Sequence, residues 1–116
     1  MNLASITPLV LTYNEEANLD RTLGRLTWAE RVVVVDSYSE DATVNLAASY
    51  ENVDLVQREF DDHTSQWNYG LNQVDTEWTL SLDADYQVPS TFINEVRGLR
   101  PETETAGYRA TFTYCV

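Results

Sequence analysis

Apolar and polar residues alternate along this chain in blocks of two kinds. Residues 6–12 form the first block, with Pro8 early and Leu9, Val10 and Leu11 running together, which predicts a buried strand. Tyr13, Asn14, Glu15 and Glu16 interrupt it. Leu19, Leu23 and Leu26 then recur at helical spacing, and Glu15, Glu16 and Asp20 favour the start of that helix. Arg31-Val32-Val33-Val34-Val35 is a continuous β-branched run, as expected of a strand covered on both faces of a parallel sheet. It stops at Asp36, and residues 37–41 form a turn. Val44, Ala47 and Ala48 mark a second helix, with Asp41 or a neighbour as its cap.

Residues 53–56 predict a short third strand, and residues 60–64, which include His63, a loop. Trp67, Leu71 and Val74, at i, i+4 and i+7, predict a third helix with Trp67 as a core anchor. The fourth strand, residues 78–82, ends at Asp83-Ala84-Asp85. A fourth helix carries Phe92, Val96 and Leu99, with Pro89 and Ser90 at its start. Past a polar connection, Tyr108, Ala110, Phe112 and Tyr114 alternate with Arg109, Thr111 and Thr113, the pattern of a two-faced fifth strand. Strands alternating with amphipathic helices imply right-handed crossovers, hence an α/β, doubly wound, mostly parallel sheet with flanking helices. No repeat or linker divides the chain, so residues 1–116 are expected to form a single domain.

Composition narrows the chemistry. The net charge is −12, all seven cations are arginine and lysine is absent. So acidic a surface repels bare nucleic acid, and a nucleic-acid partner is not expected. It also repels free phosphate esters unless a divalent cation mediates. One cysteine, Cys115, and one histidine, His63, leave no disulfide framework and no Cys/His zinc site. Cys115 reads as a packing residue and His63 as a loop residue rather than a ligand. No apolar run is long enough to cross a membrane, and the N-terminus lacks the pattern of a signal peptide. The expected location is the cytoplasm, with peripheral attachment to the inner face of the membrane as a variant of it.

Ligands of open α/β sheets bind beyond the carboxyl ends of the strands. Here three of those ends carry polar groups: Tyr13-Asn14-Glu15, Asp36, and the pair Asp83 and Asp85. The reading is a carboxylate cluster converging on one sheet edge from three segments. Two acids at i, i+2 closing an apolar strand are costly unless a cation neutralises them, and Ala84 is a small spacer that leaves room for a ligand. The competing account is an exposed Asp-rich turn that caps the next helix. Glycine occurs only at Gly24, Gly70, Gly98 and Gly107, so no glycine-rich phosphate loop follows the first strand.

Four segments together carry a resemblance: Leu11-Thr12-Tyr13-Asn14-Glu15-Glu16, then Val33-Val34-Val35-Asp36-Ser37-Tyr38-Ser39-Glu40-Asp41-Ala42-Thr43, then Trp67-Asn68-Tyr69-Gly70-Leu71-Asn72, then Leu80-Ser81-Leu82-Asp83-Ala84-Asp85. In order and spacing they resemble the signatures of family 2 glycosyltransferases, which have the GT-A (Rossmann-like) fold. The segment around residues 60–86 is most similar to the branch containing lipopolysaccharide-core β-1,4-glucosyltransferases.

The resemblance implies that the chain is the nucleotide-sugar (donor) binding domain. It implies a sugar transferred with inversion from a nucleotide sugar, UDP-linked by expectation, to a glycan or glycolipid acceptor. Thr12, Tyr13, Asn14 and Glu15 would line the nucleoside site, Asp36 would hydrogen-bond the base, and Asn68 would flank the nucleotide. Asp83 would face the ribose or the metal, and Asp85 the Mg²⁺ or Mn²⁺ on the diphosphate. Two positions depart from the family pattern: Tyr38 stands where glycine is common and Trp67 where arginine is common. Relatives continue past the strand that follows the acid pair, and no acid here matches their general base, so no catalytic base is assigned. Such a chain resembles a donor-binding half, with an exposed edge at residues 108–114 open to self-association. A non-catalytic nucleotide-sugar or metal-binding module and a sugar nucleotidyltransferase are the alternatives.

Overall fold

A computed structural model describes residues 1–102 and 105–109. A short 3₁₀ turn (Leu3–Ser5) leads into β1 (Ile6–Thr12), followed by α1 (Leu19–Gly24), β2 (Val32–Asp36), α2 (Thr43–Ala48), β3 (Val53–Gln57), α3 (His63–Asn72), β4 (Trp78–Asp83) and α4 (Ser90–Gly98). The strands lie in the order β3-β2-β1-β4, and every pair is parallel. The β-branched run does become a central strand: all five residues of β2 are buried. Each of its buried valines is worth roughly 1.5–3 kcal/mol relative to an exposed one. The expected fifth strand falls mostly on residues 110–114, which lie outside the described residues; Tyr108 and Arg109 belong to neither helix nor strand.

Alternation along the strands divides the interior into two layers. On one face Val10, Val32, Val34 and Leu82 pack with Leu19 and Leu23 of α1, Leu26 just past it, Ala47 of α2 and Ile93 of α4. On the other, Leu9, Val33 and Val35 pack beneath α3, joined by half-buried Leu11, Trp67 and Val74. The sheet is therefore covered on both sides, the doubly wound arrangement expected from the pattern.

The chain differs from its pattern at α3. Residues 63 and 64, expected in a loop, open the helix, and Asp62 caps it by accepting from the Ser65 N–H at 2.7 Å. The buried face is Gln66 and Gly70, not the Trp67–Leu71–Val74 stripe; Leu71 is 43% exposed. Two local causes account for this. A Cβ at Gly70 would lie 2.6 Å from Leu9 Cδ1 and 3.2 Å from Val35 Cγ2, so glycine sets how closely the helix approaches the sheet. Gln66 is tolerated inside because its amide is satisfied: Nε2 donates to Ser37 Oγ (3.0 Å) and to the Arg58 carbonyl (3.2 Å), and Oε1 accepts from Arg58 Nη1 (2.8 Å).

From β1 the chain moves outward through β2 to β3, crosses back beneath α3, and lays β4 on the other side of β1. Strand order thus reverses between β1 and β4. The carboxyl end of that pair is where a doubly wound sheet opens a crevice.

Candidate functional site

A cleft of about 320 Å³ opens at this reversal. Leu11 of β1 forms its floor, and Glu15 from the following loop borders it. Asp83, Ala84 and Asp85 line it from the end of β4, and His63 and Trp67 from α3.

The acid pair is held by its middle residue. Ala84 is 4% exposed and packs into the larger core layer. Its carbonyl accepts a buried hydrogen bond from Thr22 Oγ1 of α1 at 2.7 Å, and the Asp83 carbonyl accepts from the Tyr86 N–H at 3.1 Å, closing a turn. With Ala84 turned inward, Asp83 and Asp85 are both exposed. Among the described residues neither carboxylate accepts a hydrogen bond or pairs with a cation. The spacer is small because the core takes up its side chain, rather than because a ligand needs its room. Thr22 carries a signal visible in retrospect: it is a polar residue on the Leu19–Leu23–Leu26 stripe.

Asp36 is in the opposite condition. It is 0% exposed, and its carboxylate accepts from Thr12 Oγ1 (2.7 Å), Ser39 Oγ (2.5 Å), the Ser39 N–H (2.9 Å) and Gln57 Nε2 (3.3 Å). A carboxylate offers about four acceptor positions, so this one is filled by the chain itself. The register explains the contrast. Asp36 is level with Thr12 on β1, whereas Asp83 is level with Leu11, one residue earlier. Successive residues of a strand point to opposite faces. Asp36 accordingly lies with the loops that lead to α1 and α2, and Asp83 on the α3 side.

The expected three-segment carboxylate cluster is therefore not formed as such. The strand ends share an edge, but among the described residues no group of three or more His, Cys, Asp or Glu side chains is close enough to hold a metal ion.

The loops after β1 and β2 are stitched together. The Asn14 N–H donates to Ser39 Oγ (2.8 Å), the Glu40 N–H to Asn14 Oδ1 (2.9 Å), the Glu15 N–H to Thr43 Oγ1 (2.8 Å) and the Glu16 N–H to Asp41 Oδ2 (3.3 Å). Asp41 also accepts from the Thr43 hydroxyl and, at 3.0 Å, from the Thr43 N–H. Burial works against its charged form, but the hydrogen bonds from Thr43 and Glu16 outweigh it and hold its carboxyl below the usual value. Asn14 and Tyr38 both have positive φ, 52° and 57°. Asparagine tolerates that region; tyrosine pays roughly 1–2 kcal/mol for it. Tyr13 and Tyr38, each 56% exposed, stand on these two loops with their rings in solvent.

Of the residues singled out from the sequence, Glu15, Asp83 and Asp85 meet in the cleft. Thr12, Asn14 and Asp36 belong to the hydrogen-bonded frame beside it. Tyr13 is exposed next to that frame, and Asn68 is exposed on α3 without lining the cleft. His63, read as a loop residue, lines it from the start of α3, and Trp67, read as a core anchor, lines it while half-buried against the Leu9 layer; their i, i+4 spacing on one helix face is the sequence signal that was available.

Comparison with known proteins gives the geometry a context. The sequence model of Glycosyl transferase family 2 matches residues 9–105. An uncharacterized glycosyltransferase of Rickettsia bellii is 28% identical over 92 residues, covering 78% of this chain and 31% of the relative. The lipopolysaccharide core biosynthesis glycosyltransferase LpsC of Rhizobium meliloti is 27% identical over 101 residues, 84% of this chain and 36% of LpsC. The chain thus spans about a third of the length of these relatives. Among solved structures, S. aureus TarS 1-349 in complex with UDP-GlcNAc superposes with a TM-score of 0.70 at 25% identity, covering 80% of this chain and 30% of that one. The same protein in complex with UDP gives 0.71.

Proposed function

Since the chain belongs to glycosyl transferase family 2, we propose that it is the donor-binding portion of a metal-assisted enzyme that takes its sugar from a nucleotide sugar, UDP-linked, and transfers it with inversion to a glycan or glycolipid. Its sheet has the GT-A, Rossmann-like arrangement of TarS. The observation that carries the reading is the pair Asp83 and Asp85: exposed, without protein partners among the described residues, and anchored by Ala84 at the point where strand order reverses.

The residues present suit a divalent cation of the Mg²⁺ or Mn²⁺ kind. Such ions are hard, prefer oxygen, and are commonly held by one or two carboxylates together with substrate phosphates rather than by a full protein cage. Asp85 and Asp83 would hold the ion, which when bound offsets the charge of a nucleoside diphosphate leaving group. The chain's own part is positional. Thr22 fixes the acid pair through Ala84, and Asp36 and Ser39 fix the loops that carry Tyr13 and Glu15. Asp36 reaches a base only if one of its present donors gives way, and Gln57, at 3.3 Å, is the longest. Two relatives support the reading: TarS, whose structures hold UDP and UDP-GlcNAc, and LpsC, named for lipopolysaccharide core biosynthesis. Among the described residues no helix is long and apolar enough to cross a membrane.

Calorimetry of UDP and UDP-glucose binding, with and without Mn²⁺, tests this on wild type and Asp85→Ala. Binding that needs Mn²⁺ and is lost in the variant is expected. Binding indifferent to the metal, or none, refutes the donor site. A transfer or hydrolysis assay on the same samples separates an enzyme from a non-catalytic binding module.

A further inference from the structure

The donor cleft reads as acidic from the side of the sheet and needs a counterpart. Glu15, Asp83 and Asp85 border it, and none of the chain's arginines lines it. The best-anchored arginines are engaged elsewhere: Arg31 with Asp54 at 2.5 Å and Arg58 with Asp61 at 2.9 Å. A donor's diphosphate, together with Asp83, Asp85 and Glu15, brings more negative charge into this cleft than a single divalent cation cancels. A hydrogen-bond donor of the protein's own offsets part of that excess.

Among the described residues, His63 is the one lining residue with a basic side chain. It opens α3, where the helix dipole also favours an anion. Its ring is placed rather than free: the Phe60 ring meets it edge-on, with centroids 5.1 Å apart and planes at 71°. Trp67, one turn along the same helix face, adds a flat wall and a neutral indole N–H, which cannot offset charge. In addition, no group of three metal-ligating side chains forms among the described residues, so His63 is not placed to join Asp83 and Asp85 around one ion.

We infer that His63 is a ligand-contacting residue: its imidazole N–H donates to an oxygen of the donor's diphosphate, from the α3 wall, opposite the acid pair. This rests on the reading of the cleft as a donor site.

The test measures UDP affinity in the presence of Mn²⁺, and melting temperature, for wild type, His63→Ala and His63→Gln. His63→Ala is expected to weaken UDP about tenfold, the size of one hydrogen bond to a charged group. Because His63 is exposed, the melting temperature should stay within about 1 °C of wild type. Glutamine, which keeps an N–H donor, should restore part of the loss. UDP affinity within twofold of wild type in His63→Ala overturns the assignment while leaving the donor site intact. So does a loss accompanied by a drop of several degrees in melting temperature with no recovery in His63→Gln, which marks a structural role. If wild type itself binds no UDP, the donor site fails first and His63 with it.

Discussion

Replacing Asp36 by asparagine puts the buried frame to a quantitative test. The substitution keeps the volume and one carbonyl oxygen but turns the other oxygen into a donor. If the remaining oxygen takes the Oδ1 position, Thr12 Oγ1 and Ser39 Oγ, now at 2.7 and 2.5 Å, keep their acceptor. The new amide then confronts the Ser39 N–H and Gln57 Nε2, both donors, at 2.9 and 3.3 Å. Leaving the Ser39 N–H without an acceptor costs about 1–3 kcal/mol. The two hydroxyl bonds also fall from charge-assisted to neutral, at roughly half their strength. Relief from burying a charge at a position 0% exposed offsets part of this. The net expectation is about 2–4 kcal/mol of destabilisation, or roughly 8–16 °C in melting temperature for a domain of this size. Urea unfolding followed by fluorescence of the three tryptophans reads it, with the m-value unchanged. Gln57→Ala, which removes only the longest of the four bonds, is expected to cost less than about 1 kcal/mol. An Asp36→Asn protein within about 0.5 kcal/mol of wild type, or one no worse than Gln57→Ala, would refute the view that this carboxylate serves the fold before it serves any ligand.

Two further substitutions probe the seat of α3 and the Arg58–Asp61 pair. Gly70→Ala forces a Cβ to 2.6 Å from Leu9 Cδ1 inside a closed core; overpacking of about 2 kcal/mol, offset by about 1 kcal/mol of helix propensity, leaves a net loss near 1 kcal/mol in urea unfolding, and an unchanged midpoint would contradict the close approach of α3. Hydrogen bonds from the Arg58 guanidinium, joined by one from the Asp62 N–H, lower the Asp61 carboxyl to about 2. A carboxyl lowered in the folded state stabilises above its unfolded value, near 3.9, and that contribution is lost as pH falls from about 4 to about 2. Asp61→Asn should therefore flatten the acid limb of the stability–pH curve; an identical slope in both proteins would show that the ion pair does not persist in solution.

How much of this was legible beforehand depends on the range of the interaction concerned. Leu9–Leu11, Val32–Val35 and Trp78–Leu82 announce their strands because a buried strand needs little beyond its own apolar run. The four helices follow from the spacing of Leu19 and Leu23, of Val44 and Ala47, of Trp67 and Leu71, and of Phe92 and Val96, although α3 turned a neighbouring face inward. Asp83-Ala84-Asp85 was legible as a candidate site because an apolar run that ends in two acids is unusual. Thr22, Ser39, Gln57 and Gln66 were not, since each is defined by a partner distant in sequence or across a loop, and a polar residue does not advertise that its partner will be present.

By itself, then, the sequence determined the α/β order, the parallel sheet and the edge on which the acids fall. These depend on local periodicity and on the handedness of crossovers. Only the tertiary structure decided which acids remain available. Pairing β2 and β4 with β1 at registers one residue apart sends Asp36 to one face, where the chain's own donors fill it, and Asp83 to the other, where none of the described residues does. A strand alternates its faces at every residue, so a shift of one decides whether a carboxylate holds the fold together or stays free for a ligand.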